Sequence, residues 1–170
     1  MRHVRSAHSV LFLCHDNAIL GPMAEVLLNH WGRGRFTASS AGWLPAPGVH
    51  AVAVRVLRRA QLVPVVLKPR ALSEVAGPEA PPFGVVVLLG HDFPIDGMVS
   101  LKGDPALARW HISDPKAIAG PIEAQERAFE RAFREIEARV KIFASLSLDG
   151  VDRYAAERRL AEMEAAAVTA

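Results

Sequence analysis

The only cysteine of the chain, Cys14, is the residue whose type and position best suit covalent chemistry. It ends the apolar run VLFLC, and the short loop HDNAILG separates it from PMAEVLL, which has the pattern of a helix. A thiol placed between a strand and a helix N-terminus faces backbone N–H groups and the positive end of the helix dipole. That position lowers a thiol pKa and forms a nest for a phosphate-sized anion. The pattern therefore predicts a nucleophilic or oxyanion-binding cysteine, with an inert buried thiol as the alternative.

The predicted strands and helices that must position this cysteine alternate along the chain. The predicted strands are residues 9–14, 36–42, 83–89 and 106–112. The first predicted helix begins near Pro22, and three further helices are predicted at residues 47–61, 121–144 and 151–167. This alternation predicts an α/β protein with a parallel sheet covered on both faces. Ligands of such sheets bind at the carboxyl ends of the strands, where Cys14 lies.

The 121–144 helix has the strongest pattern, because an apolar stripe runs along one face. Its outer face is predicted to carry four stabilising pairs in i, i+4 order: Glu123/Arg127, Glu130/Arg134, Glu135/Arg139 and Glu137/Lys141.

Composition limits the classes of partner. A chain of 170 residues with 51% hydrophobic and 22% charged residues suits one globular domain. The formal net charge is only +2 and the basic residues are scattered, so we expect no nucleic-acid partner. One cysteine cannot form an intramolecular disulfide, which is compatible with a reducing compartment. The apolar runs are too short to cross a bilayer, so the chain is expected to be cytoplasmic, with no membrane partner.

Four motifs in order resemble the low-molecular-weight protein tyrosine phosphatase family and its arsenate reductase relatives. They are VLFLC followed by Asn17 and MAEVLL, SSAG at 39–42, WHISDP at 110–115, and the long helix rich in Arg and Glu. The resemblance covers roughly residues 10–146. It implies a single-domain, three-layer α/β fold with a four-stranded parallel sheet flanked by helices. We therefore expect a phosphatase-like domain at 1–146 and a C-terminal helical extension at 147–170.

The C-terminal extension lies beyond the resemblance. Packing on the parent domain is the expected role of its helix, and pairing with another subunit is the alternative.

Matched residue by residue, the resemblance implies a role for each site position. Cys14 falls on the nucleophile that forms a phospho- or arseno-cysteine, and Asp114 falls on the general acid. Asn17 falls on the asparagine that holds the loop in shape, and Ser40 on the serine that supports it. The implied oxyanion loop consists of His15, Asp16, Asn17, Ala18, Ile19, Leu20 and Gly21. No metal and no cofactor are implied. Asp114 also has a simpler interpretation, an aspartate that starts a turn.

The loop departs from the family pattern at two consecutive positions. The family has an arginine followed by Ser or Thr, and this chain has Leu20 followed by Gly21. An arginine offers a bidentate fork to the oxyanion and a positive charge beside the thiolate, which leucine cannot supply. Loss of one such donor costs about 10²- to 10³-fold in rate.

Other charged residues near the loop modify this expectation. Asp16 would repel a dianion if its carboxylate points inward. His15 either pairs with Cys14 or is a solvated loop histidine. Arg33, Arg35 and Arg109 either lend a charge to the site or lie on a solvated surface.

These features predict a phosphatase-like pseudoenzyme whose phosphomonoester hydrolysis is weak or lost. One alternative is an arsenate reductase-like enzyme that uses an external thiol, since the internal disulfide relay needs further cysteines. Another is a non-catalytic binding or regulatory module of the same fold. A third is a single-cysteine thiol protein in which Cys14 reacts with iodoacetamide well below pH 8. The expected partners are a weakly bound phosphorylated or oxyanion ligand and another protein.

Overall fold

Four parallel strands form the sheet and confirm the predicted architecture. The computed structural model describes residues 7–62, 68–90 and 101–169, so the predicted 1–146 domain and 147–170 extension each include residues outside these ranges. The strands are β1 (His8–Cys14), β2 (Phe36–Gly42), β3 (Val85–Leu89) and β4 (Ala106–Trp110). Their order in the sheet is β2-β1-β3-β4, and every neighbouring pair is parallel. Cys14 therefore lies at the carboxyl end of a strand with a neighbour on each side.

Helices flank this sheet at positions close to those predicted. They are α1 (Leu20–Trp31), α2 (Ala51–Arg59), α3 (Leu72–Val75), α4 (Ile122–Ser145) and α5 (Arg153–Thr169). α2 begins later than the predicted residue 47 because His50 caps it, with His50 Nδ1 accepting a bond from the Val52 N–H at 3.2 Å. The four-residue α3 was not predicted, since it is too short to show a helical period.

The apolar core divides into two clusters, one on each face of the sheet. Val10, Phe12 and Cys14 belong to the larger cluster, which also contains buried residues of α1, α2, α4 and α5. Leu11 and Leu13 belong to the smaller cluster on the opposite face. This alternation follows from the two-residue period of a strand. It places the Cys14 side chain on the face with the thicker helical cover.

α5 packs on the parent domain, which confirms the expectation for the C-terminal helix. Its buried residues Ala156, Leu160 and Met163 belong to the same cluster as Phe12. Two glutamates of α5 accept bonds from backbone N–H groups of edge strand β4 and of the residue that follows it. Glu157 Oε1 accepts from Leu107 N, and Glu164 Oε1 accepts from His111 N, each at 3.0 Å. α5 thus covers backbone donors that an exposed edge strand would offer to another chain.

The predicted pair Glu135/Arg139 on the outer face of α4 is wrong, because Arg139 is buried. The pairs Glu130–Arg134 and Glu137–Lys141 are confirmed, each at 3.7 Å. Arg139 is instead only 5% exposed and pairs with Glu164 of α5, with 2.7 Å between Arg139 Nε and Glu164 Oε2. Its predicted partner Glu135 contributes only a backbone carbonyl, which accepts from Arg139 Nη1 at 3.1 Å. The pattern of α4 alone could not show that α5 covers this position.

Among the helices of the described residues, none combines the length and the apolar composition needed to cross a membrane.

Candidate active site

The loop between β1 and α1 is held from outside by the segment that follows β2. The carbonyls of Cys14, His15 and Asp16 accept bonds from the N–H groups of residues 43, 44 and 46, at 2.8 to 3.2 Å. The carbonyl of Ala18 accepts from the His50 N–H at 2.9 Å. With these carbonyls directed outward, the loop can turn N–H groups toward its centre. The arrangement is a nest of the kind that the sequence predicts.

Gly42 and Asn17 allow the loop to lie directly against the end of β2. A Cβ atom on Gly42 would lie 2.9 Å from backbone atoms of Asp16 and Asn17, so only glycine fits. Asn17 has φ +52°, in the left-handed region that asparagine tolerates better than most residues. Its side chain is buried, and neither amide atom has a hydrogen-bond partner among the described residues. The role of Asn17 in holding the loop in shape therefore stays a prediction.

The Cys14 thiol sits inside this nest and is neutral at physiological pH. Cys14 is 3% exposed. Burial raises its pKa to about 12, although backbone N–H groups of Gly21, Asn17 and Asp16 bond to the sulfur and favour the thiolate. The negative charge of Asp16 raises the Cys14 pKa further. The expectation of a lowered thiol pKa is therefore wrong, because desolvation of the buried sulfur outweighs the N–H donors.

Cys14 opens onto a cavity of about 370 Å³ at the carboxyl end of the sheet. The cavity is lined by Cys14, His15, Asp16, Ile19, Leu20, Leu89, Gly90, Ile112, Asp114 and Lys116. Leu20 thus presents an apolar wall where the family pattern has a guanidinium.

A side chain at Gly21 would require the Asn17 side chain to move. A Cβ atom on Gly21 would lie 2.5 Å from Asn17 Oδ1 and 3.0 Å from Cys14 Sγ. The Asn17 side chain therefore occupies the space that a Ser or Thr would need.

Asp16 forms an ion pair with a residue that the sequence analysis did not select, Lys116. The distance between Asp16 Oδ2 and Lys116 Nζ is 2.5 Å, and Asp16 Oδ1 accepts a bond from the Ala18 N–H at 3.1 Å. Partial burial opposes ionisation of Asp16, but these two donors and the positive charge of Lys116 bring its pKa below the usual range. The hydrogen bond to Asp16 is the main cause of a raised pKa at Lys116. Both groups are therefore charged near neutral pH.

Asp114 lies on the same cavity as Cys14, as the resemblance implies for a proton donor. It also starts a turn, since its Oδ1 accepts a bond from the Lys116 N–H at 2.9 Å and caps a 3₁₀ turn over Pro115–Ala117. The turn explains how Lys116 reaches the site: it directs the residue after the Asp-Pro pair back toward the loop.

The three arginines considered as substitutes for the missing loop arginine do not line this cavity. Arg35 donates from Nη1 to the Ala144 carbonyl at 2.7 Å and from Nη2 to the Leu146 carbonyl at 2.9 Å. Arg33 is exposed in the turn after α1, and Arg109 lies in β4. Within the part of the chain that the structure describes, the cation that adjoins the loop is Lys116.

Two further predicted site residues take positions beside the loop. His15 is exposed at the cavity. Ser40 is buried in β2 next to Gly21, but its hydroxyl donates to Glu25 Oε2 at 2.5 Å, and Glu25 Oε1 is 3.0 Å from Nη2 of Arg70. The Ser40 hydroxyl thus connects β2 to α1, and its role in supporting the loop stays a prediction.

Over residues 7–62, 68–90 and 101–169, no group of three or more His, Cys, Asp or Glu side chains is placed to hold a metal ion.

Comparison with solved structures finds the same fold in arsenate reductases and phosphotyrosine phosphatases. An arsenate reductase from Archaeoglobus fulgidus is 33% identical to this chain, with a TM-score of 0.62 over 81% of this chain and 99% of that protein. A search of protein-family models finds no match.

Two phosphatases are also similar to this chain, at a lower sequence identity that shows the fold alone. A low-molecular-weight phosphotyrosine phosphatase from Vibrio cholerae is 19% identical, with a TM-score of 0.59 over 81% of this chain and 94% of its own. A tyrosine phosphatase from Escherichia coli K30, in complex with sulphate, is 17% identical, with a TM-score of 0.63 over 81% and 96%.

Proposed function

Since the chain belongs to the superfamily of arsenate reductases and low-molecular-weight protein tyrosine phosphatases, we propose that it is a phosphatase-like member whose phosphomonoester hydrolysis is weak or lost. One observation carries this proposal: the buried Cys14 sulfur opens onto a cavity that Leu20 lines with an apolar side chain. A phosphatase of this type needs a thiolate nucleophile and a cation for the transferring phosphoryl group. Both requirements depend on the arginine that Leu20 replaces.

The charges that remain at the cavity support the same conclusion. Lys116 is a cation in contact with the loop, but its Nζ is bonded to Asp16. Asp114 supplies a carboxyl group at the cavity, so a potential proton donor is retained. The nucleophile that it would serve, Cys14, is not activated.

Hydrolysis of para-nitrophenyl phosphate tests the proposal in four proteins: unmodified, Cys14→Ser, Leu20→Arg, and Leu20→Met as a control of similar volume. We expect the unmodified protein and Leu20→Met to match the Cys14→Ser background. Leu20→Arg should gain about 10²-fold or more, because a guanidinium stabilises both the thiolate and the transition state. Residue 21 stays glycine in every variant, since a side chain there would meet Asn17.

Turnover by the unmodified protein that disappears in Cys14→Ser would contradict the proposal. Adding Cys14→Ser to Leu20→Arg is the matched control, and it should abolish any activity that the arginine creates.

A second candidate function is arsenate reduction, favoured by the 33% identity with the Archaeoglobus fulgidus enzyme. Cys14 is the only cysteine, so the two electrons would have to come from an external thiol. The Cys14 sulfur would bond to arsenic with loss of water. An external thiol would then attack that sulfur, arsenite would leave with the S–As electron pair, and a second external thiol would reduce the mixed disulfide.

Arsenite formation from arsenate and glutathione tests this second candidate. If the protein reduces arsenate, the formation of arsenite should depend on both glutathione and Cys14. Cys14→Ser is the control. Equal arsenite formation by the unmodified protein and Cys14→Ser would eliminate it.

A further inference from the structure

The carboxylate of Asp16 binds two donors of the kind that an oxyanion requires. Oδ1 accepts the Ala18 N–H of the loop at 3.1 Å, and Oδ2 lies 2.5 Å from Lys116 Nζ. Asp16 and Lys116 are 100 residues apart in the chain, yet both line the cavity that contains Cys14. One oxygen thus takes a backbone donor and the other takes a cation, as two oxygens of a bound phosphate or sulfate would.

Other N–H donors of the loop are also engaged by the protein itself. The backbone N–H groups of Asp16, Asn17 and Gly21 bond to the Cys14 sulfur. An incoming oxyanion would therefore have to displace the Asp16 carboxylate from Ala18 and Lys116, and would meet its negative charge in the same cavity.

We propose that Asp16 is a specificity-determining residue that acts as an internal substitute for an oxyanion, and that Lys116 is the cation which binds an oxyanion when the carboxylate is removed. This inference rests on the proposed function, because it concerns the affinity of the same site for an oxyanion. It adds that this affinity depends on Asp16 as well as on the residue at position 20.

The solvent exposure of the Asp16–Lys116 pair indicates that Lys116 can become available to another anion. The side chains of Lys116 and Asp16 are 42% and 23% exposed, so solvent reaches both. An ion pair in this environment is held weakly compared with a buried one. Lys116 is therefore able to bind a different anion once its partner is neutral.

Titration with inorganic sulfate, followed by calorimetry or by NMR, tests the inference in four proteins. They are the unmodified chain, Asp16→Asn, Lys116→Met and the double variant. We expect Asp16→Asn to lower the sulfate Kd about tenfold or more, because it removes a negative charge and frees Lys116. Asparagine can keep the bond to the Ala18 N–H through its amide oxygen, which favours retention of the loop. Addition of Lys116→Met should abolish the gain.

Asp114→Asn is the matched control, because it also removes a carboxylate from the cavity. The partner of Lys116 Nζ is Asp16, whereas Asp114 caps the turn at the Lys116 N–H, which asparagine can still do. We expect it to change the sulfate Kd by much less than Asp16→Asn. Asp16→Ala provides a second test of the same charge, and melting temperatures of all variants confirm that they are folded.

Three results would overturn the inference: no tightening in either Asp16 variant, the same tightening when Lys116 is also replaced, or equal tightening in Asp114→Asn. None of these depends on turnover. Hydrolysis of para-nitrophenyl phosphate by the unmodified protein contradicts the proposed function instead, so the two failures are distinguishable.

Discussion

Replacing Glu164 by alanine should lower the free energy of unfolding by about 3–5 kcal/mol, because the substitution leaves Arg139 buried without its partner. The two side chains are joined by bonds of 2.7 and 3.1 Å, and they are only 6% and 10% exposed. Alanine also removes the acceptor for the N–H of His111, the residue that follows β4. Urea-induced unfolding at neutral pH measures the loss.

Glu157→Ala is the matched control for this prediction. Glu157 also lies on α5 and also accepts a β4 N–H, but it forms no buried ion pair. Its loss should cost about 0.5–1.5 kcal/mol, the usual value of a hydrogen bond. If Glu164→Ala costs no more than Glu157→Ala, the Arg139–Glu164 pair does not hold α5 in place. The double variant Arg139→Met/Glu164→Leu should recover most of the stability, since it removes both charges and fills the space.

The unmodified protein should lose stability above about pH 9 faster than Cys14→Ala, by as much as about 1.4 kcal/mol per pH unit. Cys14 has a folded-state pKa of about 12, whereas a thiol in the unfolded chain ionises near its ordinary value. Between these values the unfolded state has lost the proton and the folded state has kept it. The stability that the neutral thiol contributes is therefore fully present below the pKa of the thiol in the unfolded chain. It is lost as the pH rises from that value toward the pKa in the folded state.

Urea unfolding of both proteins at pH 8, 9, 10 and 11 measures this difference. Other groups that lose protons in this range are present in both proteins, so the difference isolates Cys14. A nucleophile with a lowered pKa would give the opposite result, because the advantage of the unmodified protein would then disappear as the pH falls. The neutral thiol also predicts slow labelling by iodoacetamide at pH 7, contrary to the reactive-thiol alternative.

The elements that carry the site could largely be predicted from sequence, because each has a local pattern. The apolar run ending at Cys14 predicted β1, and the stripe along residues 121–144 predicted α4 to within one residue at each end. The chemical identity of Leu20 and Gly21 is also visible without coordinates. Consequently the departure from the family loop was predicted, and the structure adds that the Asn17 side chain lies where a residue 21 side chain would be.

The charges around the loop could not be predicted in the same way. The sequence offered Arg33, Arg35 and Arg109 either as cations for the site or as solvated surface residues, and it did not single out Lys116. Lys116 is the residue that reaches the loop. Its position depends on the turn that Asp114 caps at the carboxyl end of the sheet. Similarly, Arg139 fits an i, i+4 pair with Glu135 by spacing, but α5 buries it against Glu164.

The sequence by itself determined the order of strands and helices, the position of Cys14 at the end of β1 and the presence of Leu20 and Gly21 in the loop. These depend on residue type and on periods of two to four residues, which short-range geometry sets. Only the tertiary structure decided that the thiol is neutral, that Asp16 binds Lys116 and that Arg139 is buried. Each of those outcomes depends on desolvation and on contacts between residues 25 to 100 positions apart, which arise only when the layers pack together.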